Sequence, residues 1–513
     1  MQLLHTRAEL AAWRRQLAGP LHFVPTMGAL HRGHQHLIQR AAEPRAAARP
    51  AVLVSVYVNP LQFGPREDFD RYPRDLATDA SLAAAAGAEA LFAPAVEEMQ
   101  PGGPEQITRV LAPAQLQRSL CGLGRPGHFD GVATVVARLL ALVRPDRLLL
   151  GEKDWQQLVI LRRVVADLGL PVVVEGCATV READGLACSS RNRYLSAGQR
   201  QLAAALPAAL AVLAGEGGGV DLPQRLQQQL EAAGCVVEYA QLVAAHSLEP
   251  LPEPQGLGLL AAAIRCGPSR LIDHTFLMSR SPIVAIDGPA GAGKSTVTRA
   301  FARRLGLVYL DTGAMYRAVT WWVQREGVDP ADGAAVAGCL QGLDLQLSTA
   351  TDGQQLVRIN GHDVTEAIRS PDVTGQVSQV AAHGCVREAL TAQQQAMGQR
   401  GGLVAEGRDI GTAVFPDAEL KVFLTASVAE RARRRALDLQ QRGFAVPELV
   451  ALEAQIAERD QRDASRPVAP LCMAADAEEL VTDGMAIEAV IQALVDRFRQ
   501  RVPEEAWPDP QSP

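Results

Sequence analysis

Midway along a chain of 513 residues, the strand-like run IVAID (283–287) leads into GPAGAGKS (288–295) and then into the helical pattern KSTVTRAFARRLG. Few local signals restrict a fold so tightly. The spacing is G-x-x-x-x-G-K-[ST], and it has the preceding strand and following helix that a phosphate-binding loop requires. Glycines let backbone N–H groups converge on one concavity, and the helix N-terminus adds positive potential. Gly288, Pro289, Ala290, Gly291, Ala292, Gly293, Lys294, Ser295 and Thr296 thus form a candidate ATP cradle. Lys294 would reach the β/γ-phosphates, and the Ser295 hydroxyl would ligate Mg2+. The competing reading, a chance glycine turn before a helix, is disfavoured by both flanks. A new βα unit therefore begins at Pro282, and the domain boundary is placed at roughly 278–282, in the short junction TFLMSRSP.

The length exceeds what one core supports. With 48% hydrophobic and 21% charged residues, the composition is that of a globular protein. Aromatics are only 4%, so the cores should be aliphatic. A net charge of -7 offers no footprint for nucleic acid or an anionic membrane as main partner. No uncharged apolar run is long enough to span a bilayer. The start, MQLLHTRAELAAWRRQL, reads as an amphipathic helix without a signal peptide's apolar core. The eight cysteines lack CxxC spacing and read as reduced thiols of a cytoplasmic protein. The Pro-rich tail RVPEEAWPDPQSP reads as frayed.

Beyond the loop, DTGAMYR (311–317), EGRDIGT (406–412), ERARRRALDLQQRG (430–443) and ERDQRDASRPVAPL (458–471) present many arginines. Charge-dense helices are usually solvated faces. Here they accompany a phosphate-binding loop, and phosphoryl transfer between two anionic nucleotides needs fixed cations. With SQVAAHGCVREAL (378–390), these segments resemble bacterial cytidylate kinases over about 282–500. The resemblance implies that Thr312, Arg317, Arg408 and Arg466 surround the CMP phosphate. It implies that Ser378, Arg387 and Asp409 read the cytosine, and that Arg459 and Asp463 hold the ribose. Lys294, Arg408 and Asp409 are its candidate catalytic residues. A β-rich CMP-binding insert would occupy about 337–375, and a mobile lid bearing the arginines of 431–435 about 428–445.

In the first half, short β-rich runs (LHFVP, AVLVSVYV, ALFAP, RLLLG, VVVEG) alternate with helical stretches, which favours a parallel sheet wrapped by helices. VPTMGALHRGH (24–34) follows a strand and opens a helix, so His31 and His34 can both face a polyphosphate. A metal reading, prompted by His36, finds no nearby Cys or carboxylate at zinc spacing, and a purely structural role for the histidines stays open. GEKDWQQL (151–158) follows RLLL, where α/β sheets present ligand-binding residues; Lys153 suits a phosphate and Gln157 a hydroxyl or carboxylate. VNPLQFG (58–64), RPGHFDGVATVV (125–136) and DGLACSSRNRYLS (184–196) complete the set of motifs.

Together these motifs resemble pantothenate synthetases, the pantoate–β-alanine ligases, over roughly 1–277. The resemblance implies ATP contacts from Met27, Gly28, Ala29, Leu30, His31, Arg32, Gly33 and His34, and from Gly151, Glu152, Lys153 and Asp154. Val180, Cys188, Ser189, Ser190 and Arg191 would add to them, while Gln62 and Gln157 hold pantoate and Gln62 neighbours β-alanine. His34 falls at the family's proton-donor position, with His31 and Lys153 as catalytic companions. Cys188 stands where relatives carry Leu or Met.

The implied architecture is α/β throughout. A Rossmann-like nucleotidyltransferase domain (about 1–182) with a small subdomain (about 183–277) precedes a P-loop nucleoside monophosphate kinase (278–513). The implied partners are small molecules: ATP with Mg2+ in both halves, pantoate, β-alanine, and CMP or dCMP. Homodimerisation through the first half is a further expectation. A different monophosphate kinase fused to another adenylate-forming enzyme, or one half serving as a silent ATP-binding module, are the alternatives.

Overall fold

The structure, a computed structural model, describes residues 1–510 except 46–48, 66, 68, 218, 350–354, 442, 444 and 467. Parts of the expected insert (350–354), of the expected lid (442 and 444) and of the tail (511–513) therefore lie outside the described residues, as does Pro467 of SRPVAPL. The chain divides into two units, Met1–Ser279 with Val502–Pro508, and Arg280–Arg501 with the residues from Asp509 on.

The first unit is built on six parallel strands: β1 (Gln2–Leu4), β2 (Leu21–Thr26), β3 (Ala51–Val56), β4 (Ala90–Phe92), β5 (Arg147–Gly151) and β6 (Val173–Cys177). Their order is β1-β4-β3-β2-β5-β6. LHFVPT and AVLVSV are almost wholly buried, as strands covered by helices on both faces must be. Between β2 and β5 the strand order reverses, and the segments that leave those two strands carry the HRGH and GEKD motifs. The N-terminal helix is shorter than expected. Gln2–Leu4 pairs with β4, and the helix Arg7–Arg15 starts at Thr6, whose hydroxyl accepts from the Glu9 N–H in a capping box. Beyond β6, an antiparallel sheet of β7 (Val236–Ala244), β8 (Leu257–Cys266) and β9 (Ser269–Met278) packs on the helices Ala197–Gly215 and Leu222–Ala232. Leu222, Leu226 and Leu230 are fully buried there, each stabilising the subdomain by about 1.5–3 kcal/mol.

The second unit comprises β10 (Ile283–Asp287), β11 (Val308–Asp311), an antiparallel insert of β12 (Leu345–Thr349), β13 (Gln355–Ile359) and β14 (His362–Asp363), then β15 (Leu403–Gly407), β16 (Leu420–Thr425) and β17 (Glu478–Val481). The main sheet is parallel, in the order β11-β15-β10-β16-β17. β10 is central and entirely buried, so the phosphate-binding loop leaves the middle of the sheet at a point where the strand order reverses.

The tail departs from expectation. The last helix ends at Arg501, and Val502, Pro503 and Glu504 are buried within the first unit rather than frayed.

Candidate active sites

In the first unit the turn after β2 is held by long-range polar contacts. Asp79, buried on the helix Leu76–Ala86, accepts from the Ala29 N–H at 3.0 Å and the Leu30 N–H at 2.7 Å. Gly28 sits at φ +86°, and a Cβ there would lie 2.8 Å from Asp79 Oδ2, so only glycine fits. The turn delivers His31 to the N-cap of the helix Arg32–Ala42, with His34 one turn on and the ring centroids 4.0 Å apart. Burial pushes His31 down to about 4, helped by the Lys153 charge, and holds His34 well below its ordinary value. Both rings are therefore neutral at neutral pH. His31 Nδ1 accepts from the Gly33 N–H at 3.2 Å, which leaves the proton on Nε2 as a donor. His34 Nδ1 is buried without a hydrogen-bond partner among the described residues.

The segment after β5 forms a short 3-10 turn. It places Lys153 on a cavity of about 870 Å³ that Gln62, Asp154, Gln157, Ser189 and Arg191 also line. The histidine turn is not among the lining residues, although the Lys153 charge reaches His31. Gln62 donates to Met27 Sδ at 3.0 Å and accepts from Asn59 Nδ2 at 3.1 Å. The Cys188 N–H donates to the Val180 carbonyl at 2.8 Å, closing the loop that carries Ser189, Ser190 and Arg191. Gln156, next to Gln157, is structural: it is buried and bonded to the backbone of Leu116, Ser119 and Cys121.

In the second unit Gly288 has φ +148°, and a Cβ there would lie 2.0 Å from the Leu424 carbonyl oxygen. Lys294 Nζ donates to the Gly288 and Pro289 carbonyls at 2.7 Å each, folded over its own loop. Burial first, then the Arg408 charge, lowers its pKa. The Ser295 hydroxyl donates to Glu406 Oε1; Oε2, beside Tyr309, is buried without a well-formed hydrogen bond. Thr296 is exposed at the helix N-terminus. Arg431 and Arg434 donate to the Ala290 and Ala292 carbonyls at 3.2 and 3.1 Å.

Facing the loop, Arg408, Arg459 and Arg466 gather round one buried carboxylate, Asp463. Arg408 Nε donates to it at 3.1 Å, and Arg466 donates to its other oxygen. Burial lowers the pKa of Arg459 and of Arg466, and Arg408 pushes Arg459 further down. Surplus positive charge of this kind fits an anionic ligand. Arg387 and Asp409 form a separate buried ion pair, with the guanidinium over the Tyr316 ring. Arg317 pairs with Asp311 at 2.9 Å, and the Thr312 hydroxyl donates to the Glu406 carbonyl. Ser378 is half-buried on the helix Pro371–Val380.

A family model described as pantoate-beta-alanine ligase matches residues 2–276, and one described as cytidylate kinase matches 284–500. A bifunctional pantoate ligase/cytidylate kinase of Prochlorococcus marinus strain MIT 9313 is 66% identical, over 97% of this chain and 99% of that protein. Its namesake in Parasynechococcus marenigrum WH8102 is 65% identical, over 99% of this chain and 100% of that protein. The chain belongs to the bifunctional pantoate ligase/cytidylate kinase family. A crystal structure of pantothenate synthetase from Thermus thermophilus matches with a TM-score of 0.50 and 47% identity, over 53% of this chain and 98% of that one. Membership accounts for both parallel sheets, a nucleotidyltransferase-like one and a nucleoside monophosphate kinase one.

Within the bifunctional family frame, several buried groups escaped motif reading. Asp79 braces the ligase turn from a helix that reads as alanine-rich filler. Asp287 accepts from the Ile410 and Gly411 N–H groups at 2.8 and 2.7 Å, joining the kinase loop to the EGRDIGT turn. Burial raises its pKa to about 6. His128 and Arg125, from the RPGHFDG loop, line the ligase cavity; His128 Nδ1 lies 2.8 Å from the Gln62 carbonyl, and Arg125 pairs with Glu67 at 2.6 Å. A signal for the last two was present in that loop's polar composition. For Asp79 and Asp287 none was, since each acts across the fold.

Proposed function

We propose that the chain is an enzyme with two independent active sites. The first joins pantoate to β-alanine with ATP, and the second transfers phosphoryl from ATP to CMP or dCMP. The observation that carries the reading is the pair of strand-order reversals, each bearing phosphate-binding groups on the loops that leave it.

In the ligase reaction, the pantoate carboxylate attacks the α-phosphorus, pyrophosphate leaves, and pantoyl adenylate forms. The β-alanine amine then attacks the acyl carbon and AMP leaves. Gln62 and Gln157 suit pantoate's hydroxyls and carboxylate. His31 Nε2–H, His34 and the Lys153 ammonium are positioned for charge that builds on the phosphates as pyrophosphate departs. Negative charge arriving beside His31 and His34 favours their protonated forms, so binding itself strengthens these donors. Met27–His34, Gly151–Asp154, Val180 and Cys188–Arg191 form the proposed ATP contacts.

In the kinase, Lys294 leaves the Gly288 and Pro289 carbonyls for the β/γ-phosphates. Arg408, Arg459 and Arg466, with Arg317, hold the CMP side in line, and Asp463 keeps the arginines in register. Arg387, Asp409 and Ser378 face the base. Mg2+ fits this site: Ser295 and Glu406, whose second oxygen lacks a good hydrogen bond, would hold it. When bound it neutralises phosphate charge. The ligase is read as using Mg2+ with its ATP as well.

No helix among the described residues is long and apolar enough to cross a membrane. Eight free cysteines, five of them buried, support the reading of a reducing cytoplasm. Dimerisation through the ligase unit is the remaining part of the proposal, and light scattering tests it. Parallel assay of the purified chain tests the rest: pantothenate and CDP should both form, and the absence of either from a folded, ATP-binding preparation rejects that half.

A further inference from the structure

After the kinase unit's last helix, the segment Val502–Pro508 returns to the ligase unit and is seated there by specific bonds. The N–H groups of Glu504 and Glu505 donate to the two oxygens of the buried Glu152 carboxylate, at 2.8 and 2.9 Å. The Glu505 carboxylate accepts from the Thr179 N–H at 2.8 Å and from the Thr179 hydroxyl. Glu504 accepts from the Ala178 N–H at 3.5 Å, and His274 Nε2 lies 3.8 Å from Glu505 Oε2. Every one of these partners belongs to the ligase unit.

Glu152 directly precedes Lys153, and Thr179 directly precedes Val180. The two stretches follow adjacent strands, since Gly151 pairs with Cys177 across β5 and β6. The tail thus bridges the two backbone segments that lead into Lys153 and Val180, both among the proposed ATP contacts. A buried carboxylate with its two donors removed would seek water, and the 3-10 turn that carries Lys153 would move with it. Burial and the Glu505 charge already push Glu152 up to about 7, against the pull of the two N–H groups. The clamp acts on the turn Glu152–Asp154 and on the Ala178–Thr179 backbone, and none of its bonds involves Gln62 or Gln157.

We infer that the chain's last segment is a positioning element of the ligase, in which Glu504 and Glu505 hold the Lys153 turn and the Thr179–Val180 backbone in the arrangement that receives ATP. This rests on the ligase reading of the ATP site, and it makes the N-terminal enzyme incomplete without residues more than three hundred and fifty positions downstream.

The test uses the full chain with Glu505→Ala, Glu505→Gln and Thr179→Val, and a chain ending at Arg501. The ligase KM for ATP should rise about 5- to 20-fold in Glu505→Ala and in the shortened chain, a part of what the loss of a hydrogen bond to a charged group costs, because the clamp acts on ATP through the backbone it holds. Thr179→Val and Glu505→Gln, which each keep part of the bonding, should rise less. The KM values for pantoate and for CMP should stay within about twofold. A synthetic peptide spanning Val502–Asp509 should restore the ATP KM of the shortened chain. A purely structural tail would lower the melting temperature and leave ATP KM alone, so an unchanged ATP KM in folded Glu505→Ala overturns the inference. Loss of CDP formation in parallel would also overturn it. Failure of the unaltered chain to form pantothenate would instead reject the ligase reading.

Discussion

Asp409, proposed to read the base, is buried in an ion pair with Arg387. Arg408 takes Asp463 as its partner, so orienting Arg408 is not the work of Asp409. Cytosine offers a 4-amino donor where uracil offers a carbonyl, and a carboxylate suits the donor. Asp409→Asn can donate to uracil and still accept from cytosine. The CMP-over-UMP ratio of kcat/KM should fall roughly ten- to a hundredfold, from about 1–3 kcal/mol of discrimination. Steady-state kinetics with both nucleotides checks this, and an unchanged ratio in a folded variant removes Asp409 from base reading. The charges proposed to handle ATP should separate cleanly. Lys294→Ala should abolish CDP formation and leave pantothenate formation near the level of the unaltered chain, whereas His34→Ala or Lys153→Ala should do the reverse. Loss of ligation in a folded Lys294→Ala chain would show that the sites are not independent.

At the scale of elements, turns of a few residues carry the chemistry, and their backbones leave little freedom. Gly28 needs a left-handed conformation and also lies against Asp79. Gly28→Ala forces both a strained φ, costing about 1–2 kcal/mol, and a shift of the carboxylate that holds the Ala29 and Leu30 N–H groups. The ligase kcat/KM for ATP should drop about ten- to a hundredfold with CDP formation unaffected, since displacements of this order misalign reacting groups. Parallel assays of one preparation read both numbers. The helix Val428–Gln441 shows how one element divides its charges. Arg431 is buried with Asp460 and the Ala290 carbonyl, while Arg433 and Arg435 have side chains 64% and 53% exposed. One face of a charge-dense helix is thus committed to the phosphate-binding loop and the other is solvated.

For the whole molecule, the return of Val502–Pro508 changes what cutting the chain should do. Each half has its own aliphatic core, so cleavage near Arg280 should yield two soluble proteins. The kinase fragment should match the full chain in CDP formation. The ligase fragment lacks the tail's donors to Glu152, so it should form pantothenate with a raised ATP KM, corrected by the tail peptide. Expression of both fragments followed by the two assays checks this. Insolubility of both fragments, with the intact chain well behaved, would show that neither core suffices.

Local chemistry is what the amino-acid sequence determines unaided here. GPAGAGKS, HRGH, GEKD and EGRDIGT each bring donors, glycines and a strand–turn–helix context within about ten residues, and the same hydrophobic runs that make the parallel strands point each motif to a sheet's carboxyl edge. Asp79 beneath the histidine turn, Asp287 beneath the EGRDIGT turn and Glu505 beside Thr179 were decided by tertiary structure alone. Each is a carboxylate whose partners lie far away in sequence or on another element. Its role comes from burial and the loss of water, which no spacing or periodicity encodes. The tail shows the limit most plainly. RVPEEAWPDPQSP has the composition of a frayed end, yet its stretch Val502–Pro508 is seated because two N–H groups and one carboxylate find complementary partners that only the folded ligase unit presents.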